Sequence, residues 1–82
     1  MIDNKQGYEV VVQKIIPNGR HGPYAVARSE ELTSVTFSLK PPVWEEEEWP
    51  QPGICVLLSK VRKKRAGWRA EYGRFLKPSD EQ

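Results

Sequence analysis

Prolines at positions 17, 23, 41, 42, 50, 52 and 78 interrupt this chain of 82 residues so often that little of it can form a long helix. A proline inside a helix removes a backbone donor and clashes with the preceding turn, at a cost of about 3 kcal/mol. The apolar residues between the prolines come as short β-branched runs, which suit strands. One domain is expected, because 82 residues hold no material for a second core. A chain of this size buries about 60–65% of its extended surface, so the core must be small.

Residues 7–16, "GYEVVVQKII", are rich in strand formers and end at Pro17-Asn18-Gly19, a turn signal. Residues 23–28, "PYAVAR", place Tyr24, Val26 and Arg28 on one face of a second strand and Ala25 and Ala27 on the other. The loop between them, "NGRHG", carries Arg20 and His21. Residues 34–39, "SVTFSL", alternate, with Val35, Phe37 and Leu39 expected inward. These three runs read as an antiparallel meander.

The segment "KPPVWEEEEWPQPG" is bounded by prolines at both ends against strand pairing. Val43 to Trp49 allows one or two helical turns, and Trp44 and Trp49 are expected to pack over the edge of the core. Residues 54–61, "ICVLLSKV", read as a buried strand in which Cys55 acts as a small hydrophobe. A basic hairpin loop follows, then a last strand over residues 67–76, "GWRAEYGRFL". Gly73 suggests a bulge or sharp bend there. Tyr72 shares a face with Trp68 and Ala70 by simple alternation and reads as core. Residues 1–6 and 77–82 are expected as frayed ends of a single domain spanning 1–82.

Five short strands with an insert between the third and fourth predict an all-β, OB-fold-like Greek-key barrel. That fold binds oligonucleotides on its second and third strands, flanked by the loops joining strands one to two and four to five. Here those loops are "NGRHG" and "KVRKKRAG", and both are cationic.

Charge is distributed accordingly. Residues 1–59 hold five Lys/Arg against eight Asp/Glu, a balance of −3, and residues 60–82 hold eight against three, a balance of +5. Such asymmetry suits a polyanionic partner. Lys60, Arg62, Lys63, Lys64 and Arg65 place five cations within six positions, directly before Trp68 and Arg69. Lysine and arginine neutralise phosphates while aromatic rings stack on bases. The plainer alternative is a hairpin tip kept charged against edge-to-edge association. Trp68 and Tyr24 read equally as core and as stacking residues.

The stretch "PGICVLLSKVRKKRAGWRAEYGRF" resembles the fourth strand, basic loop and fifth strand of the cold-shock and S1-like group of small OB-fold proteins, with Gly67-Trp68-Arg69-Ala70 as its "GxxA" element. The resemblance covers residues 7–76 in layout and 53–75 in specific residues. It implies a barrel that binds RNA or single-stranded DNA, with RNA favoured. The family's aromatic motifs on strands two and three, of the type "KGFGFI" and "VFVH", are replaced by "GPYAVAR" and "SVTFSL". Base stacking from those motifs is therefore not implied, and low sequence specificity is expected.

No catalytic set is legible. His21 is the lone histidine, with no second ligand or carboxylate near it in sequence. Cys55 is the lone cysteine, which excludes an internal disulfide and suggests a reducing cytoplasm. "NGRHG" lacks the lysine and Ser/Thr of a phosphate-binding P-loop. "EEEE" reads as a solvated acidic loop without a calcium-site pattern. There is no membrane-spanning apolar stretch, and "MIDNKQG" lacks the regions of a signal peptide. No enzyme, metal or cofactor is expected, and a monomer is.

Two functions follow. One is a nucleic-acid-binding module using Arg20, His21, Tyr24, Lys60, Arg62, Lys63, Lys64, Arg65, Trp68 and Arg69. The other is a protein-interaction module that docks a basic surface of a larger assembly through the acidic tryptophan loop, residues 43–50.

Overall fold

A computed structural model describes residues 7–77; of the segments expected as frayed ends, 1–6 and 78–82 lie outside the described residues. The elements are β1 (Tyr8–Ile16), β2 (Tyr24–Arg28), β3 (Val35–Ser38), β4 (Cys55–Lys64) and β5 (Gly67–Phe75). They close into a barrel in the order β1-β2-β3-β5-β4. β1 pairs antiparallel with both β2 and β4, while β3 and β5 run parallel. Closure leaves few strand edges to protect.

The barrel is filled by the inward residues of every strand, among them Val10, Val12, Val35, Phe37, Val56 and Leu58. Ala25 and Ala27 are the inward face of β2, so small side chains stand there opposite larger ones. Alternation holds along β2 and β3 and breaks in two places. In β1, the register shifts between Val12 and Lys14, a bulge at Gln13. In β4 and β5 the inward positions step by three, from Leu58 to Val61 and from Ala70 to Gly73, without loss of register. Lys60 absorbs this turn-over with a left-handed backbone, φ 54°, a conformation that costs a residue with a Cβ roughly 1 kcal/mol.

The turn-over corrects two expectations. Tyr72 is not core: the strand rotates between Ala70 and Gly73, leaving Tyr72 37% exposed, with the Lys60 ammonium 5.6 Å from its ring centre. Of the bulge or sharp bend expected at Gly73, the bulge is excluded, because Gly73 pairs in register with Leu58. Its missing side chain makes room instead, since a Cβ there would lie 2.9 Å from Leu58 Cδ2 and 3.2 Å from the Trp44 ring.

The β3–β4 connection is irregular, with no helix, and it plugs one end of the barrel. Trp44 is 2% exposed and stands between Phe37 and Phe75, with ring centres 5.7 and 5.1 Å away. Its indole Nε1 donates to the Glu48 carbonyl at 2.7 Å. The plug is also tied to β5: Gly73 N donates to Val43 O and Glu45 N to Gly73 O, both at 2.9 Å. The acidic run is not wholly solvated, because the Glu46 carboxylate accepts from Phe75 N at 3.2 Å. Trp49 does not cap the core; it is 43% exposed, and the buried Pro50 beside it takes the inward place. Cys55 is also a correction. It pairs with Val11 on the outer surface of the barrel and is exposed, since only Val56 and Leu58 of that run point fully inward.

Candidate nucleic-acid interface

The run expected as a loop is mostly strand. Lys60, Arg62, Lys63 and Lys64 belong to β4, and only Arg65 and Ala66 form the hairpin tip. The pairs Arg62↔Arg69, Lys63↔Trp68 and Lys64↔Gly67 build a two-stranded ribbon that runs past the end of β1. Because β1 pairs with β4 only as far as Leu58, no strand among the described residues lies beside the far edge of this ribbon. Charges on such an edge prevent sheet-to-sheet association, whatever else they do.

Strand pairing decides which cations act together. Residues opposite one another in a sheet share a face, so their side chains emerge side by side. Val26 of β2 pairs with Thr36 of β3, Thr36 with Arg69 of β5, and Arg69 with Arg62 of β4. This makes one row across four strands on the outer face of the barrel. Lys64 lies on the Arg62 face by alternation, and Tyr24 on the Val26 face. Two arginines directly opposite repel each other. Glu71 partly offsets that repulsion through an ion pair, Arg62 Nε to Glu71 Oε2 at 2.7 Å.

Above the row sits the β1–β2 loop. Gly22 N donates to Gly19 O at 3.0 Å, closing a four-residue turn with Arg20 and His21 at its two central positions. Gly22, at φ 109°, supplies a backbone shape that side chains resist. Leu39 N donates to Pro23 O at 3.0 Å, so the loop is held at the Ser38 end of β3. The hairpin tip stands at the opposite end, where Val35 pairs with Trp68. The two basic loops therefore flank one outer face from its two ends. Between them lies a pocket of 420 Å³ lined by the Gly19–Pro23 turn, Tyr24, Thr36 and Arg69.

The expected site residues thus divide. Arg20, His21, Tyr24 and Arg69 meet in the pocket, although nearly fifty residues separate His21 from Arg69 in the chain. Arg62 and Lys64 extend the same face, and Arg65 forms its end. Trp68 and Lys63 point the other way. Trp68 packs against the core, and the Lys63 ammonium stands 5.1 Å from its ring centre. Trp68→Ala should accordingly lower the melting temperature and leave binding per folded molecule little changed; a large loss of affinity at unchanged melting temperature would place the ring on the ligand side instead. Phe37 is fully buried, which leaves Tyr24 as the one aromatic of the β2–β3 outer face. Thr36 and Glu71 were not legible as site residues. The outward position of Thr36 was visible in "SVTFS", but its neighbours depend on strand register, which no local pattern specifies.

Among the described residues no cluster of three His, Cys, Asp or Glu side chains is placed to hold a metal ion. An all-β, closed five-stranded barrel with a β1-β2-β3-β5-β4 order and an insert after β3 is of the OB-like kind. No protein-family model matches this chain, and no curated protein or solved structure matches it either.

Proposed function

We propose that this protein is a non-enzymatic module that binds RNA or single-stranded DNA, in the manner of the cold-shock and S1-like OB barrels. One observation carries this reading: cations from three separate parts of the chain, Arg20, Arg69 and Arg62 with Lys64, line one outer face beside the half-buried ring of Tyr24. Solubility alone would be served equally well by scattered charges. The acidic plug supports the same assignment, since it is bonded at Gly73 and Phe75, well along β5 from Arg69. Phosphate can approach the face without meeting it.

The test is a fluorescence titration with poly-U, poly-A and single-stranded DNA at several salt concentrations. About four phosphate contacts would give a slope of log affinity against log salt near −3 for a single strand. The absence of binding to all three polymers at low salt would overturn the proposal.

Glu71 offers a sharper check. It ties up Arg62 at the centre of the face, so Glu71→Gln should release one guanidinium for phosphate. Affinity is expected to rise for every sequence, and the slope to steepen by about 0.7. A general surface change would produce no such gain.

A second function is favoured by Trp49, which is exposed next to the exposed Glu47 and Glu48. An indole flanked by acids suits docking onto a basic protein surface. Trp49→Ala would then abolish capture of such a partner while leaving polynucleotide binding unchanged.

A further inference from the structure

The 420 Å³ pocket lies near the lower end of the roughly 300–1,000 Å³ typical of small-ligand sites, a size for one nucleotide rather than a run of them. Its lining is chemically uneven. Arg20 and Arg69 supply two permanent positive charges, and no carboxylate lines it. Tyr24 supplies the larger ring surface, beside the His21 imidazole, and the Thr36 hydroxyl can both donate and accept a hydrogen bond. The ring of Tyr24 is held in place: a Cβ added at Gly19 would lie 2.7 Å from its Cδ1 and 2.3 Å from the Gly22 carbonyl oxygen. The turn backbone is therefore pressed against the ring, and Tyr24 cannot swing towards it. Because Phe37 is buried and Trp68 points to the core side, the His21 imidazole is the one other ring lining the pocket, and it is much smaller than the Tyr24 phenol.

From this we infer that the pocket takes a single nucleotide splayed out of the bound strand. Its base lies on Tyr24 with its edge towards Thr36, and its phosphate lies between Arg69 and Arg20. The inference rests on the nucleic-acid reading above and divides the face in two. The β4–β5 ribbon holds phosphates without regard to base, whereas the pocket needs a base to be present. Phosphate contacts position a strand and base contacts specify it, so this one position is where any sequence preference arises.

The experiment compares an eight-nucleotide U strand with an abasic strand of the same length, which keeps every phosphate and lacks every base. Wild-type protein should bind the abasic strand about ten- to a hundredfold more weakly, as expected for loss of one stacked base, with the salt slope unchanged. Tyr24→Phe should keep that gap, and Tyr24→Ala should close it by weakening only the base-bearing strand. Arg69→Ala should weaken both strands and flatten both slopes by about 0.7. Equal wild-type affinity for the two strands overturns the pocket and leaves the binding function standing. Binding to neither overturns both. The wild-type comparison needs no variant, so an unstable Tyr24→Ala protein would not obscure the result.

Discussion

Replacing Trp44 with alanine should remove about 3–5 kcal/mol of folding stability. Domains hold roughly 0.05–0.15 kcal/mol per residue, so this loss is a large part of what a chain of 82 residues has. The melting temperature should fall by something of the order of 20 °C, given about 4–8 °C per kcal/mol at this size. Three losses combine. The ring leaves a cavity between Phe37 and Phe75, the Glu48 carbonyl loses its donor, and the space kept open by Gly73 is left empty. Trp49→Ala is the matching control, because its ring is 43% exposed and surface changes usually stay within about 0.5 kcal/mol. Thermal unfolding of the two variants side by side decides the matter. Equal losses would mean that the insert does not plug the barrel through Trp44.

Removing the charge of Arg62, Lys64 and Arg65 together should have the largest effect on binding. Each phosphate contact adds about 0.7 to the salt slope of a single strand, and Arg62 is already held by Glu71, so the triple alanine variant should flatten it by about 1.4 units through Lys64 and Arg65. Each tenfold rise in salt then erases about 25-fold of the wild-type advantage, and the two proteins converge at high salt. The loss should be the same for poly-U and poly-A, because these side chains meet phosphate and not base edges. All three residues are exposed and none belongs to the core, so melting temperature should change little. A variant that binds with unaltered slope would reduce the basic ribbon to a charged strand edge, and docking through Trp49 would become the leading function.

Much of the barrel was legible locally. The runs at 7–16, 23–28, 34–39 and 67–76 correspond to β1, β2, β3 and β5 within a residue or two, because period-two alternation and Gly, Pro and Asn turns act over a few neighbours. Insertion of the proline-bounded segment between β3 and β4 was legible for the same reason, although the allowance for helical turns there was not taken up. The inward set of β3, Val35, Phe37 and Leu39, is buried as its pattern required.

The sequence by itself determined the strand count, the positions of most turns and the concentration of positive charge after residue 59. Tertiary structure alone decided which side chains meet. Trp44 and Trp49 are alike in local context, yet the barrel end has room for one ring, and the bonds to Gly73 select Trp44. Tyr72 left the core because β4 and β5 turn over together at Lys60, a consequence of closing a twisted sheet. Arg69 came to stand under the Arg20–His21 turn through the parallel pairing of β3 with β5. Alternation is a property of one strand, whereas register, twist and closure belong to pairs of strands far apart in the chain.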